Sequence, residues 1–477
     1  MTAHSSSVAP GSGRINWKRL ISVLIALIAF AIPFVHEFEG LSAPGHRVLS
    51  VFFLAIVLWV SEAVPMHATA AIVILLQILL VSDKGLIKYP EEFKAPAFRL
   101  FYNSLSDPIL MLFLGGFFLA DGASKYRLDR NLARVLLKPF GTSPKMILMG
   151  LMLITATLSM FMSNTATTAA MMAVVIPVIA QLPAGDRLKA GLALSIPVAA
   201  NIGGMGTPIG TPPNAIALGA LAKAGIQIGF MKWVMMVLPF MVIILFIAWI
   251  LLARMFPCSK KEINLTIRET FDTSWAAKIF YFTFALTIVL WFTEELHGIS
   301  ANIVGFVPVV ILLSTRVFTV KDFQSVEWHV LWLVAGGIAL GTGIGATKMD
   351  TWFIGLFSWD KMGPTVLIAM LCLASLFVGT FISHSATANL LVPIGMSLAM
   401  SDAVSISPVM AAIFIALGSS LAMALPISTP PNAIAMSTGT VTTRDMAISG
   451  VIIGIVGWVL FSFVAPPLWN LLGIMPK

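Results

Sequence analysis

Ser163, Asn164 and Thr165 form a polar triplet inside an apolar run, F-M-S-N-T-A-T-T-A-A-M-M over Phe161 to Met172. Hydroxyl and amide groups placed there serve something other than lipid, because hydrocarbon offers them no hydrogen-bond partner. Serine, threonine and backbone donors suit a carboxylate, and equally sulfate or phosphate. The triplet returns in the second half as Ser383, His384 and Ser385, in F-I-S-H-S-A-T-A-N-L-L over Phe381 to Leu391. A second pair of stretches, T-P-I-G-T-P-P-N-A-I-A-L-G from Thr207 and L-P-I-S-T-P-P-N-A-I-A-M-S-T from Leu425, sets Thr211 and Thr429 apart by nearly the spacing of Ser163 and Ser383. A third, Leu58-Trp59-Val60-Ser61-Glu62 against Leu290-Trp291-Phe292-Thr293-Glu294, has a slightly larger offset, the extra residues falling in the loop after Val81. Three markers in one order mean an internal duplication.

The elements that carry these motifs are membrane helices. Of the 477 residues 58% are apolar and only 10% charged, against about half and about a quarter in soluble domains. The chain reads as an all-α polytopic membrane protein. Its net charge of +8 is spread over short loops with no basic domain, which fits retention of loops on the cytoplasmic side and excludes nucleic acid as a partner. Cys258 and Cys372 lie in unrelated contexts, so they define neither a disulfide framework nor a metal site.

Residues 1–19 are expected to form a cytoplasmic tail and 20–40 an uncleaved first transmembrane helix, with Arg14, Lys18 and Arg19 holding the amino end inside. Further runs near 46–64, 66–82, 107–122, 190–222, 231–254, 275–293, 300–315, 328–346, 408–438 and 446–472 bring the expected spans to eleven. Segments 145–181 and 363–400 are long enough to enter and return, with the polar triplets at their turns. They read as re-entrant helical hairpins; the alternative is two ordinary spans each, with the triplets outside the membrane.

Repeat 1 then covers 46–255, a cytoplasmic linker 256–274, and repeat 2 275–472, each repeat with five spans, so the second is inverted and the carboxyl end lies outside. The loop charges agree: 123–145 falls inside with Lys125, Arg127, Arg130, Arg134, Lys138 and Lys145 against Asp129 alone. The 83–106 loop resists, falling outside with four basic residues, and reads as an amphipathic piece lying on the membrane surface. Asp121 is expected to pair with the basic loop beside it, Glu62 and Glu294 to hydrogen-bond between helices, and Asn389 is placed to reach the second polar turn.

An inverted repeat with a broken element at matching places points to a secondary transporter with its site near the midplane. Pro208, Pro212 and Pro213 interrupt one span and Pro426, Pro430 and Pro431 its counterpart, since proline lacks the amide proton and clashes with the preceding turn. Freed carbonyls there suit a cation and half-helix amino ends an anion. A hydrolase is disfavoured, because adjacent Ser383 and His384 point to different faces of a helix. A channel has no need of two inverted breaks.

The W-V-S-E-A-V-P stretch from Trp59, the S-N-T at Ser163 and both T-P-P-N stretches resemble the divalent anion:sodium symporters, over nearly the whole chain after the first helix. The resemblance implies eleven spans, two hairpins, a homodimer in the bacterial inner membrane and a transport domain that moves as an elevator. It implies a small anionic substrate, typically a C4 dicarboxylate such as succinate, malate or fumarate, with Na+ as coupling ion and no other cofactor. Sodium-independent exchange, proton involvement and sulfate as cargo stay open. Carried over, a first sodium site uses Ser159, Ser163, Asn164 and the Gly210 backbone. The substrate lies against Ser163, Asn164, Thr165, Ser383, His384, Ser385, Thr429 and Pro430. The second sodium site, around Gly379, Ser383, His384 and Ser428, departs from the family, which usually has S-N-T there and often a threonine at the Gly379 position. A hard cation prefers oxygen, and imidazole is a poor substitute. Either the charge of His384 replaces that ion, or neutral His384 donates a hydrogen bond in place of the asparagine amide.

Overall fold

The computed structural model describes residues 17–89, 93–183, 185–260, 262–263, 270–356, 359, 362–401 and 404–474. The expected tail lies outside them except for Trp17 to Arg19, and the linker is described only in part. Among the described residues the chain is helical throughout, with no strand.

Eight helices are long and apolar enough to cross a bilayer: Trp17–Val35, Ala43–Ser61, Arg99–Lys125, Phe230–Met255, Trp275–Phe292, Trp328–Ala346, Pro364–Phe381 and Thr443–Leu471. Eleven were expected, and the difference has local causes. Met66–Val81 is held to 16 residues by Pro65 before it, and the 300–315 run is interrupted at Gly305. The runs 190–222 and 408–438 each divide, into Leu188–Gly204 with Pro212–Lys223 and Pro408–Ser420 with Pro430–Ser437. The prolines that end one helical path start the next: Thr211 (φ −152°, ψ 145°) and Thr429 (φ −157°, ψ 143°) are extended N-caps, each followed by two prolines in the first turn, where a missing N–H costs nothing.

The duplication extends to the order of helices. Ala43–Ser61, Met66–Val81, Arg99–Lys125, Leu128–Leu137, Pro144–Ser159, Asn164–Ala180, Leu188–Gly204, Pro212–Lys223 and Phe230–Met255 are answered in turn. Their counterparts are Trp275–Phe292, Ala301–Ser314, Trp328–Ala346, Met349–Gly355, Pro364–Phe381, His384–Ala399, Pro408–Ser420, Pro430–Ser437 and Thr443–Leu471. Backbone detail repeats as well: Arg127 (φ 53°) and Lys348 (φ 55°) both turn left-handed to start the short fourth helix of their half. Fully buried Trp59 and Trp291 each donate Nε1–H to the first carbonyl of the next helix, Met66 at 3.2 Å and Ala301 at 3.1 Å. Those marker tryptophans are therefore staples between consecutive helices.

The helices sort into two packed groups. Pro144–Ser159, Asn164–Ala180, Leu188–Gly204 and Pro212–Lys223 pack with their four counterparts, and Phe230–Met255 joins them. The halves are interlaced here: Pro430–Ser437 lies on Asn164–Ala180 and Leu188–Gly204, and Pro212–Lys223 on His384–Ala399 and Pro408–Ser420. The other group is built from Trp17–Val35, Ala43–Ser61, Met66–Val81, Arg99–Lys125, Trp275–Phe292, Ala301–Ser314 and Trp328–Ala346. Trp328–Ala346 makes the main contact between the groups, against His384–Ala399 and Pro212–Lys223.

Several single-residue expectations are corrected. Asp121 does not pair with the basic loop: the helix runs on to Lys125, which bonds Asp322 at 2.7 Å, while Asp121 faces Glu327 and Asp322 with its buried Oδ2 unpartnered. Asn389 turns from the second polar turn onto the neighbouring helix, where Nδ2 donates to the Leu333 carbonyl at 3.1 Å. That approach requires Gly337, since a Cβ there would fall 1.8 Å from Asn389 Oδ1. In the 83–106 segment Arg99–Tyr102 and Asn103–Ser106 are helical among the described residues. Glu294 meets its expectation, accepting from Phe230 N at 2.9 Å and Ala301 N at 3.1 Å, a carboxylate at two helix starts.

Candidate substrate and cation site

Each polar triplet begins a helix. Ser163 and Ser383 are N-caps of Asn164–Ala180 and His384–Ala399, extended at ψ 142° and 150°, and each hydroxyl accepts from the N–H three residues on, at 3.3 and 3.2 Å. Such a cap is worth about 1 kcal/mol and explains the serine before any ligand is considered. The cap leaves the hydroxyl proton free to donate elsewhere. Ser163 Oγ donates to Glu327 Oε1 at 3.0 Å; among the described residues Ser383 Oγ meets only the thioether of Met66, at 3.4 Å.

A chain of buried amides joins the first turn to the second half. Ser159 Oγ donates to Asn164 Oδ1 at 2.7 Å, and Asn164 Nδ2 donates to Asn201 Oδ1 at 3.3 Å. Asn201 Oδ1 also accepts from Thr429 Oγ1, and Asn201 Nδ2 donates to Asn432 Oδ1, both at 3.4 Å. Asn432 Nδ2 then closes the second break by bonding the Met423 and Leu425 carbonyls, both at 2.9 Å. Its counterpart Asn214 does the same for the first, bonding Gly204 O at 3.1 Å and Thr207 O at 2.8 Å. Backbone carbonyls at both breaks thus have side-chain partners. Next to Met423, the Ala422 carbonyl takes His384 Nε2 at 2.8 Å. The second polar turn thus reaches the same broken stretch that Asn432 closes. Asn201, Asn214 and Asn432 carry these contacts and were not singled out from sequence, although the latter two stand inside the quoted T-P-P-N motifs.

Tight backbone approach makes the network possible. A Cβ on Gly203 would lie 2.3 Å from the Ala156 carbonyl, and one on Gly204 2.4 Å from Asn164 Oδ1. Gly203→Ala is expected to lower the Tm of the detergent-purified protein, an overpacking cost of about 1–3 kcal/mol, and to lower uptake with it. An unchanged Tm would show that the helices part without penalty.

The two expected cation sites fare differently. The first brings together Ser159 Oγ and Asn164 Oδ1, with Ser163 capping and Gly210 N–H on the Thr207 carbonyl at 3.4 Å. Asn214 Oδ1, fully buried and lacking a hydrogen-bond partner, adds an uncommitted oxygen nearby. An oxygen-only donor set fits a hard cation. The second site does not fit. Ser428 Oγ is committed to the Thr380 carbonyl at 2.7 Å, His384 turns an N–H toward Ala422, and Gly379 supplies no side-chain oxygen. A serine at Gly379, matching Ser159, would set its Cβ 2.9 Å from that of Ala422. Among the described residues no cluster of three histidine, cysteine or acidic side chains is available for a tightly held metal.

Thr165 and Ser385 follow the caps, half-buried, while Pro430 and Ile427 are exposed. Residues 201–210 around the first break are buried throughout.

Residues 14–475 match the sodium:sulfate symporter transmembrane region. The chain belongs to that family. A member of this family is a multi-span transporter and not an enzyme. The sequence is 29% identical over 495 residues to the sodium-dependent dicarboxylate transporter SdcS of Staphylococcus saprophyticus, covering 95% of this chain and 92% of that one. It is 32% identical over 476 residues to a transporter of Haemophilus influenzae, covering 94% and 97%. SdcS of Staphylococcus aureus is 27% identical over 486 residues, covering 94% and 90%. Among solved structures, the YdaH transporter of Alcanivorax borkumensis superposes with a TM-score of 0.54 at 12% identity, over 89% of this chain and all of that one, a likeness of fold alone.

Proposed function

We propose that this symporter-family member carries small divalent organic anions, C4 dicarboxylates such as succinate, malate and fumarate, with sodium, by elevator-type alternating access. The observation that carries this reading is the buried amide chain from Ser159 through Asn164 and Asn201 to Thr429 and Asn432, which ties a hairpin turn of one repeat to the broken helix of the other. Cation oxygens and the amino ends of two helices meet there, so one region attracts both charges. The substrate carboxylates would take the hydroxyls of Ser163, Thr165, Ser383 and Ser385 and the helix start at Thr429-Pro430; the ion would take Ser159, Asn164 and the Gly210 region. The names of the staphylococcal relatives support dicarboxylate and sodium.

In this reading the chain has eleven spans and two re-entrant hairpins. Seven of the eight long helices count directly, Met66–Val81, Ala301–Ser314 and the two broken helices complete the set, and Pro364–Phe381 belongs to the second hairpin. The repeats are inverted, the amino end is cytoplasmic and the carboxyl end outside, in the inner membrane. The hairpin group moves against the other, which forms a homodimer scaffold.

A second reading, sodium-independent exchange, is favoured by one observation: the side-chain oxygens of the second cation site are replaced by the His384 contact with Ala422. The deciding experiment is labelled succinate uptake into proteoliposomes with and without a sodium gradient, at two pH values, with unlabelled citrate, sulfate and 2-oxoglutarate as competitors. The expected result is saturable, sodium-stimulated uptake that dicarboxylates inhibit better than sulfate. Saturable counterflow indifferent to sodium would replace symport by exchange, and non-saturable flux would remove the carrier reading.

A further inference from the structure

The hydroxyl of Ser163 is held by a carboxylate from the other helix group: Oγ lies 3.0 Å from Oε1 of Glu327, the residue immediately before Trp328–Ala346. A serine hydroxyl has one proton to donate. Glu327 and a substrate carboxylate therefore compete for the same donor, and only one of them can have it.

The repeat supplies a second member of the same kind. Asp107 precedes Pro108–Lys125 as Glu327 precedes Trp328–Ala346, and the two acids stand as far apart in sequence as Ser163 and Ser383 do. Yet Ser383, with the same capping geometry as Ser163, meets Met66 Sδ and no carboxylate. Asp107 instead lines a cavity of about 660 Å3 whose wall includes Val392, Pro393, Met396 and Ser397, residues further along the helix that Ser383 begins. Val392 stands two and a half helical turns beyond Ser383, or about 14 Å along a helix axis. Sliding the hairpin group by that order of length along the helix brings Ser383 to Asp107 and takes Ser163 away from Glu327.

We propose that Glu327 and Asp107 are alternating latches: Glu327 holds the first hairpin through Ser163 in the conformation seen here, and Asp107 holds the second through Ser383 in the opposite one. The inference rests on the elevator carrier proposed above. Substrate entering the site takes the serine hydrogen bond from the latch, so the loaded carrier moves more readily than the empty one, whose return costs one hydrogen bond. A ligand shifts such an equilibrium only by its differential interaction with the two states, and displacement of the latch carboxylate is that difference. Lys223 is a further tie that must yield on sliding, because its ammonium donates to the Ile338 carbonyl at 2.8 Å and to the Thr342 hydroxyl across the group boundary.

The test uses two cysteine pairs in full-length protein lacking Cys258 and Cys372, cross-linked in proteoliposomes by a flexible bis-thiol reagent. Asp107→Cys with Ser397→Cys reports the present conformation, and Asp107→Cys with Ser383→Cys the opposite one. Both pairs remove Asp107, so only the hold of Glu327 is read. Without substrate the 107–397 product is expected to dominate. Glu327→Ala is expected to raise the ratio of 107–383 to 107–397 product by about tenfold, the size of one hydrogen bond to a charged group, and Glu327→Gln by less. Reciprocally, Asp107→Ala is expected to raise the yield of a Ser163→Cys with Glu327→Cys pair. A 107–383 product that forms with a ratio indifferent to both Glu327 substitutions overturns the latch and leaves the carrier standing. Absence of that product under every condition also overturns the latch, and if the cysteine-free protein then shows no saturable counterflow of succinate, the carrier reading falls with it.

Discussion

Asn201→Ala is expected to reduce succinate uptake by about a hundredfold or more. Asn201 is fully buried and bonds Asn164, Thr429 and Asn432 at once. Alanine strands all three partners where no side chain replaces the lost one, and each buried unsatisfied polar group costs about 1–3 kcal/mol. Two such costs falling on the occupied site suffice for the hundredfold loss, since about 1.4 kcal/mol is a factor of ten. The comparison that separates site from fold is the Tm of the purified variant with and without saturating substrate and sodium. The parent is expected to gain thermal stability from its ligands by linkage, and the variant to lose that gain while keeping its helical circular dichroism. Uptake within about twofold of the parent would mean that the amide chain is packing and not the site.

His384→Asn is expected to make uptake more sodium-dependent and less pH-dependent. In the first repeat the capping serine is followed by Asn164, whose Oδ1 lies beside Ser159 and Gly204. In the second the corresponding imidazole points its Nε2 at the carbonyl of Ala422, which matches Gly204 by the same spacing that relates Thr429 to Thr211. Asparagine is shorter and restores an amide oxygen, releasing the Ala422 carbonyl to a cation. It also removes an ionisable imidazole from the second polar turn. The measurement is initial uptake rate against sodium concentration at two pH values for parent and variant. If both dependences are unchanged, His384 acts only as a neutral hydrogen-bond donor. Gly379→Ser alone is not expected to rebuild the second cation site, because the added Cβ meets Ala422 at 2.9 Å.

The legible part of this protein was what repeats. Apolar runs of about 20 residues have one solution in a bilayer, so the helical class followed from composition. Motif pairs at Ser163 and Ser383, Thr211 and Thr429, and Trp59 and Trp291 placed the duplication, because each marks a local event that the backbone must repeat: an N-cap, a proline helix start, an indole staple. Local events are encoded locally. The proline interruptions are legible for the same reason, while the division of the 300–315 run at Gly305 is not, since nothing in apolar composition marks it.

Partners distant in sequence were not legible, because one amide looks like another until the fold says what it faces. Asn201 stands in an ordinary apolar run and becomes the centre of the buried amide chain only when Pro430–Ser437 is laid across its helix. Asn389, one turn beyond the second polar triplet, is equally well placed by spacing and instead seats on Gly337 of the neighbouring group. Asp121 and Glu327 carried no motif; tertiary packing left Oδ2 of the first without a hydrogen bond and put the second on Ser163. Sequence alone thus determined the apolar runs, the duplication and the polar turns, which depend on short-range backbone chemistry and on the length of apolar stretches. Tertiary structure alone decided which buried donors meet which acceptors, because those distances of about 3 Å are set by helices brought together from opposite halves of the chain.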